Sequence, residues 1–297
     1  MNRPRRTDAM STDAFAELPA DALERLSLRF PARAVAVGGG AQVSVRECGE
    51  GAGLPLVCLH GIGSGSASWL EAAQILAPRT RLIAWDAPGY GDSTPLPMDA
   101  PRGADYAQRL HELLDALGIA RCVLVGHSLG ALMAAPAAQR SERIAALVLI
   151  SPAQGYGAPG READRARVHA ERLASLQELG IAGMAAKRAG RLVSEHASPL
   201  ARQWVRWNMA RLHERGYRQA IELLCGGDLL AGLPAAVPTT VACGALDVVT
   251  PPAGCAEVAR RCGVPLESIA DAGHASYVER PQAVAALLGR VLEHAAR

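Results

Sequence analysis

The stretch Gly126-His127-Ser128-Leu129-Gly130 has the pattern G-x-S-x-G. The apolar run 121–125 before it is typical of a strand, and the run 131–135 after it is helix-forming. A serine on a tight strand-to-helix turn projects its hydroxyl out of the backbone, with a helix N-terminus behind it. We expect flanking glycines there because the turn is crowded and can require positive φ angles. The stretch therefore predicts that Ser128 is a nucleophile.

Strand and helix patterns alternate on both sides of this turn. Apolar runs predict strands over 34–37, 42–46, 54–59, 80–85, 121–125, 145–150, 237–243 and 264–269. Helical patterns occur at 67–76, 105–117, 129–139, 252–262 and 281–295. The glycines between the first two strands predict a hairpin. The alternation as a whole predicts an α/β fold, with a mostly parallel central sheet flanked by helices.

The alternation is interrupted after the sixth predicted strand. Residues from about 161 to 230 are polar, rich in arginine and helical in pattern, with predicted helices over 162–178, 181–193, 199–213 and 216–225. We therefore predict an α/β core formed by residues 19–152 and 235–297. Residues 153–234 are predicted to be a helical cap inserted into this core. Residues 1–18 are predicted to be a disordered N-terminal segment.

The composition is that of a globular protein, with 49% hydrophobic and 20% charged residues among 297. The formal net charge of +2 does not favour binding to nucleic acid or to an anionic membrane. No apolar run is long enough to span a bilayer, and the basic N-terminus is not followed by an apolar segment. Seven scattered cysteines without a C-x-x-C motif predict neither a disulfide framework nor a metal site. Together these features favour a cytoplasmic location.

A serine nucleophile needs a histidine base and an acid that orients the base. His274 lies in a loop just after a predicted strand, and Asp247 follows strand 237–243 in the same way. The remaining histidines after Ser128 lie in the insertion or on the final helix: His169, His196, His213 and His294. Loops at the carboxyl ends of parallel strands converge on one edge of the sheet. The sequence therefore predicts a catalytic triad of Ser128, Asp247 and His274.

An oxyanion intermediate needs two hydrogen-bond donors. The backbone N–H groups of Leu129 and Ile62 are the candidates, because one follows the nucleophile and the other lies in the glycine-rich loop after strand 54–59. That loop, residues 61–66, also resembles a dinucleotide-binding turn, with Asp86 at the end of the next strand. Ser66 nevertheless occupies a position where glycine or alanine is expected, and a dinucleotide site leaves the triad unexplained. We therefore predict no cofactor and no metal.

A group of motifs resembles the α/β-hydrolase superfamily, in its serine-nucleophile branch, over about residues 30–295. These motifs are His60-Gly61-Ile62-Gly63, the loop 86–93, the turn 126–130, Gly244-Ala245-Leu246-Asp247 and Gly273-His274. Short cap segments, 183–186, 215–217 and 228–229, resemble those of 3-oxoadipate enol-lactonases. The resemblance implies an ester or lactone as substrate. The chain is also similar to the carbon–carbon bond hydrolases of aromatic ring-cleavage pathways.

The predicted activity is cofactor-independent hydrolysis of a small-molecule ester, lactone or similar acyl bond through an acyl-serine intermediate. Carbon–carbon bond hydrolysis by the same triad is one alternative, and a non-catalytic ligand-binding protein on a hydrolase scaffold is another. Bulky side chains that could line a substrate pocket are Trp69, Met133, Tyr156, Trp204, Trp207, Val248 and Tyr277. Basic residues of the cap that could meet a substrate carboxylate are Lys187, Arg188, Arg191, Arg202, Arg206 and Arg211.

Overall fold

The computed structural model of the chain describes residues 17–139 and 141–296. Within these residues one sheet is formed by β1 (Ala32–Ala36), β2 (Gln42–Ala52), β3 (Leu56–Leu59), β4 (Thr80–Trp85), β5 (Cys122–His127), β6 (Ile144–Ile150), β7 (Thr239–Gly244) and β8 (Leu266–Ile269). The spatial order is β1-β2-β4-β3-β5-β6-β7-β8. β1 and β2 form the predicted antiparallel hairpin, and β2 is also antiparallel to β4. All other neighbours are parallel, which confirms the predicted mostly parallel sheet.

Helices cover both faces of the sheet. The helices outside the insertion are α1 (Ala20–Arg29), α2 (Leu70–Leu76), α3 (Gly103–Ala116), α4 (Ala131–Ala138), α8 (Pro252–Cys262), α9 (Ser276–Glu279) and α10 (Pro281–Ala295). Helices α1, α2 and α10 contribute to the apolar core on one face. Helices α3, α4 and α8 contribute to the core on the other face. None of the described helices is long and apolar enough to cross a bilayer.

The apolar runs of the central strands are explained by burial on both faces. In β4, Leu82 and Ala84 point into one core, while Ile83 and Trp85 point into the other, and all four are fully buried. A parallel strand covered by helices on both sides is apolar at every position, so no polar alternation appears in its sequence.

The inserted helices lie between β6 and β7 and are α5 (Glu162–Arg188), α6 (Pro199–Ala210) and α7 (Glu214–Gly226). Helix α5 is interrupted at Gly180, where φ is 59° and ψ is −177°, so it consists of two arms. The two chain segments that connect the insertion to the core pair with each other. The N–H of Gly157 donates to the carbonyl of Gly227 at 2.7 Å, and the N–H of Leu229 donates to the carbonyl of Gln154 at 2.9 Å.

The N-terminal prediction is only partly covered by the structure. Residues 1–16 of the segment predicted to be disordered lie outside the described residues. Leu18 is buried in the core beside α1, a helix that no sequence pattern had indicated. The ordered core therefore includes at least the last part of the segment 1–18.

Candidate active site

Ser128 lies on a strained turn between β5 and α4. Its φ angle is 53°, a left-handed conformation that is uncommon for a residue with a side chain. Gly126 and Gly130 have no positive φ, so of the two reasons given from the sequence only the crowding of the turn applies to them. They allow close approach instead: a Cβ on Gly126 would meet the carbonyl oxygen of Gly130 at 2.7 Å. A Cβ on Gly130 would meet the carbonyl oxygen of Leu59 at 2.5 Å, against the neighbouring strand β3.

His274 and Asp247 are hydrogen-bonded to each other in the buried interior. His274 Nδ1 donates to Asp247 Oδ2 at 2.8 Å, and both side chains are at most 4% exposed. The other oxygen of Asp247 accepts from the N–H groups of Val249 and Thr250 at 2.7 and 2.9 Å. The Thr250 hydroxyl also donates to Asp247 Oδ2 at 2.9 Å. Asp247 is therefore held rigidly by its own loop, with one oxygen aimed at the imidazole.

The hydrogen bonds of Asp247 keep it ionised. Burial raises the pKa of this carboxyl group, but the hydrogen bond and charge of His274 and the N–H of Thr250 outweigh burial and lower the pKa to about 2. At neutral pH the carboxylate is therefore negatively charged beside the imidazole. Such a charge can select the His274 tautomer that is protonated on Nδ1, and it can stabilise an imidazolium.

His127, the variable residue of the serine motif, forms a contact that the sequence did not suggest. Its Nε2 donates to the backbone carbonyl of His274 at 2.9 Å, while its Nδ1 is buried without a hydrogen-bond partner. The ring lies between those of His274 and Tyr277, at centroid distances of 4.7 and 4.6 Å. Burial, together with the nearby charge of His274, lowers the pKa of His127 to about 3. His127 is therefore neutral at physiological pH and fixes the backbone that carries His274.

The loop that contains Ile62 is held by two aromatic side chains. His60 Nε2 accepts from the N–H of Ala87 at 3.0 Å, which leaves Nδ1 to donate to the carbonyl of Gly61 at 2.8 Å. Burial lowers the pKa of His60, and this favours the neutral ring that these two bonds require. Tyr90 donates its hydroxyl to the carbonyl of Ile62 at 3.0 Å. Ile62 and Leu129, the two predicted oxyanion donors, both line the cavity that contains Ser128.

Asp86 has a structural role in the same loop. One carboxylate oxygen accepts from the N–H of Ser66 at 2.8 Å, and the other accepts from the hydroxyl of Ser44 at 2.8 Å. A ribose-binding acid has to present its carboxylate to a ligand, whereas both oxygens here are bonded to the protein and the residue is buried. These hydrogen bonds give Asp86 a structural role, so its position after the glycine-rich loop does not require a bound dinucleotide.

A cavity of about 610 Å³ lies beneath the inserted helices. Ser128, His274, Ile62 and Leu129 all line it. Its apolar wall is formed largely by the insertion, through Val168, Met184, Leu192, Val205, Met209, Leu212 and Leu224. A cavity of this size and composition is typical of a site for a small organic molecule.

Two of the seven predicted pocket residues, Tyr156 and Tyr277, line this cavity. The placement of the other five corrects our expectation. Trp69 is fully buried behind Tyr277, with the two rings stacked at 4.3 Å, and Met133 is buried in α4. Trp204 and Trp207 pack edge to face against each other, 5.6 Å apart, while Val248 is 62% exposed. Periodicity and residue type could not distinguish these packing roles from contact with a ligand.

The cavity is also lined by five arginines among the described residues: Arg161, Arg167, Arg172, Arg188 and Arg191. Arg188 and Arg191 are among the basic cap residues that the sequence suggested for a substrate carboxylate. Arg202 and Arg211 are also in that group, but they contact other parts of the protein. Arg202 donates to the backbone carbonyls of Ser194 and Glu195, which precede α6, and Arg211 lies over the ring of Trp207. Lys187 and Arg206 do not line the cavity. Arg172 was missed, although a signal existed: it lies one helical turn from Val168 and one from Leu176, both buried.

Glu279 links the His274 loop to the insertion. Its carboxylate accepts from the N–H of Gly273 at 2.7 Å, from the N–H of Ser194 at 2.9 Å and from the Ser194 hydroxyl at 2.6 Å. The N–H of Ala275 donates to the carbonyl of Leu192 at 2.7 Å. The residues on both sides of His274 are therefore bonded to the segment 192–194 that connects α5 to α6.

Comparison with known proteins identifies relatives in sequence and in fold. A 2-hydroxy-6-oxo-6-phenylhexa-2,4-dienoate hydrolase of Comamonas testosteroni is 36% identical over 121 residues, which span 39% of this chain and 41% of that protein. The fold is similar to that of the enol-lactonase from Burkholderia xenovorans LB400, with a TM-score of 0.77, 24% identity and coverage of 88% and 100% of the two chains. A thermophilic esterase from Thermogutta terrifontis gives a TM-score of 0.73 at 23% identity, over 89% and 98%.

These structural likenesses show the fold alone, since fewer than a quarter of the residues are identical. A sequence profile described as the Alpha/beta hydrolase family matches residues 56–287, most of the chain. The protein is therefore a member of the Alpha/beta hydrolase family.

Proposed function

We propose that the protein hydrolyses an ester, a lactone or a similar acyl bond of a small molecule through an acyl-Ser128 intermediate. The observation that carries this proposal is the buried hydrogen bond between His274 and Asp247 beside a cavity that also contains Ser128. The strained φ of Ser128 supports the same role, because nucleophiles on such turns are held in sparsely populated conformations.

The proposed chemistry has two halves. His274 Nε2 removes the proton of the Ser128 hydroxyl as its oxygen attacks the carbonyl carbon, and Asp247 stabilises the resulting imidazolium. The N–H groups of Ile62 and Leu129 stabilise the oxyanion. The intermediate then expels the alcohol, which takes the proton from His274. Water, activated by the same imidazole, attacks the acyl-serine and releases the acid.

The similarity to the dienoate hydrolase of Comamonas testosteroni favours a second candidate function, hydrolysis of a carbon–carbon bond beside a carbonyl group. The aligned part covers 41% of that relative, so its activity is a hypothesis for this chain. Comparison of kcat/KM for a ring-cleavage dienoate with that for simple esters and lactones distinguishes the two reactions.

We propose a cytoplasmic location, supported by seven cysteines that are all free thiols.

Turnover of a short 4-nitrophenyl ester and covalent labelling by a fluorophosphonate test the proposal. We expect the label on Ser128 alone. Ser128→Ala should lower kcat by about 10³-fold or more, as removal of a nucleophile generally does. Full turnover by Ser128→Ala, or labelling at another residue, would exclude this nucleophile. Ligand binding with neither turnover nor labelling in the parent protein would instead indicate a binding protein on this scaffold.

A further inference from the structure

We propose that the natural substrate carries an ionised carboxylate in addition to its scissile acyl bond, and that Arg172 and Arg188 bind this carboxylate in the cavity. The inference rests on the proposed function, because it assigns the substrate class of the same site. It concerns the side of the cavity formed by the two arms of α5.

Arg172 occupies a position where an apolar residue is expected. It lies four residues after Val168 and four before Leu176, both of which are buried, so all three lie on the inward stripe of α5. The Arg172 side chain is half-buried and lines the cavity. A guanidinium withdrawn from water costs free energy unless its charge is compensated, so its position on this stripe needs an explanation.

Neither Arg172 nor Arg188 has a carboxylate partner among the residues that the structure describes. Arg172 donates to the hydroxyl of Tyr217 at 3.3 Å, and Arg188 donates to the hydroxyl of Ser175 at 2.6 Å. These neutral acceptors orient the two guanidinium groups but do not neutralise them. By contrast, Arg161 and Arg167, which also line the cavity, form ion pairs with Asp164.

Among the described residues, two carboxylates line the cavity, Glu171 and Glu257, and neither forms an ion pair with Arg172 or Arg188. Glu171 is paired with Arg167 at 3.2 Å, and Glu257 accepts from the side-chain amide of Gln154 at 3.1 Å. The wall therefore leaves the positive charges of Arg172 and Arg188 without an anion, and a bound substrate is the group that can supply one.

The break in α5 brings the two arginines to the same region. The helix is kinked at Gly180, and Arg188 on the second arm donates a hydrogen bond to Ser175 on the first arm. Ser175 lies three residues after Arg172, which is about one helical turn. Two guanidinium groups that line one partly buried cavity repel each other. An anion between them removes the repulsion, and the planar guanidinium fork matches a carboxylate.

This charged region is near the reacting end of the cavity. Arg172 donates to the hydroxyl of Tyr217, and Gly216, the residue before Tyr217, packs directly against the backbone of Gly89, the residue before Tyr90. The Tyr90 hydroxyl donates to the carbonyl of Ile62 in the loop beside Ser128. Arg172 and Ser128 line the same cavity, so the acyl chain of the proposed substrate spans that cavity from its carboxylate to its scissile carbonyl.

Two esters with acyl chains of the same length test the proposal. Mono-4-nitrophenyl glutarate ends in an anionic carboxylate, and 4-nitrophenyl valerate ends in a neutral methyl group. We expect the parent protein to favour the anionic ester in kcat/KM by about tenfold or more, the effect of one charge-assisted hydrogen bond. Arg172→Gln and Arg188→Gln should each remove most of this preference, a loss of about tenfold that affects the anionic ester and not the neutral one. Arg165→Gln is the matched control, since Arg165 is exposed on the same helix outside the cavity.

Equal preference for the two esters in the parent protein, or equal losses on both esters in the two variants, would overturn the proposal. Arg172→Lys keeps the charge without the planar guanidinium group, so partial retention of the preference in this variant supports charge recognition even if Arg172→Gln is unstable.

Calorimetric titration with glutarate provides a readout without turnover. Binding to the parent and to Arg165→Gln, with loss in the two glutamine variants, supports the site, and no binding to the parent contradicts it. Labelling of Ser128 by a neutral fluorophosphonate reports separately on the proposed function.

Discussion

At the scale of single residues, two aspartates lie near His274: Asp247 in space and Asp271 in the chain. Only Asp247 is hydrogen-bonded to the imidazole. Asp247 is buried and hydrogen-bonded to the imidazole, whereas Asp271, three residues before His274, is exposed. Asp271 has a φ of 52°, a conformation that asparagine tolerates well. The pair Asp247→Asn and Asp271→Asn therefore offers a matched comparison of the same chemical change.

We expect Asp247→Asn to lower kcat/KM by about 10³- to 10⁴-fold, because the imidazole loses the partner that orients it and stabilises its positive charge. Asp271→Asn should remain within a few fold of the parent. Steady-state ester kinetics on both variants check this expectation. Similar losses in the two variants would mean that the acid has been assigned incorrectly.

The lowered pKa of His127 predicts that the free energy of unfolding depends on pH. Its folded pKa of about 3 lies below the ordinary value of 6.5, so the unfolded chain binds a proton that the native protein does not. The contribution of His127 to the free energy of unfolding is therefore fully present above about pH 6.5. It is lost as pH falls towards about 3, by up to about 1.4 kcal/mol per pH unit. His127→Gln retains a donor for the His274 carbonyl but does not titrate. Urea unfolding between pH 4.5 and 7.5 should give a shallower loss of stability in His127→Gln, and parallel curves would contradict this account.

At the scale of secondary-structure elements, Glu279 at the end of α9 bonds the His274 loop to the start of the segment before α6. Each carboxylate oxygen of Glu279 accepts from a backbone N–H group. In a glutamine one of these oxygens is replaced by an NH₂ group, which cannot accept and would face an N–H donor. We expect Glu279→Gln to reduce the free energy of unfolding by about 1–3 kcal/mol. Glu293→Gln on α10 is the control, because Glu293 is exposed and its ion pair with Arg79 is on the surface.

Glu279 is a positioning residue, and a purely structural role would affect stability alone. We therefore also expect slower phosphonate labelling of Ser128 in Glu279→Gln, measured well below its unfolding temperature, because His274 is held less firmly. A labelling rate equal to that of the parent, combined with reduced stability, would show that Glu279 supports the fold without affecting the histidine.

The boundaries of the elements also show where sequence patterns are informative. The central strands were predicted within a few residues, because burial on both faces makes them apolar throughout. Helix α1 was not predicted, since a short amphipathic segment beside a polar terminus gives little signal. The two predicted helices 162–178 and 181–193 correspond to the arms of α5, whose relative direction depends on the conformation of Gly180.

At the scale of the whole molecule, the insertion meets the core at a contact between two glycines. A Cβ on Gly216 of α7 would meet the carbonyl oxygen of Gly89 at 2.0 Å, in the loop that follows β4. Gly89 has a φ of 82°, a left-handed conformation that favours glycine, so a side chain is disfavoured on both sides of this contact. The close approach of these backbones helps to set the distance between the insertion and Ser128.

We expect Gly216→Ala to destabilise the protein by about 1–3 kcal/mol, as overpacking generally does, and to change KM because α7 is displaced from the cavity. Gly226→Ala at the other end of α7 is the matched control, since no atom lies within 4 Å of its added Cβ. Thermal unfolding and ester kinetics on the two variants check this. Parent-like behaviour of Gly216→Ala would show that the insertion adjusts freely over the core.

The sequence by itself determined the α/β class of this protein and the candidates Ser128, Asp247 and His274. Apolar strands, glycine-rich turns and the order of serine, acid and histidine are local patterns that remain visible without coordinates. Only the tertiary structure decided which side chains line the cavity. It placed Trp69, Trp204 and Trp207 in packing contacts and brought Arg172 and Arg188 to one site. The physical reason is that burial favours a large side chain equally in a core and at a pocket wall, and the difference depends on contacts between residues far apart in the chain.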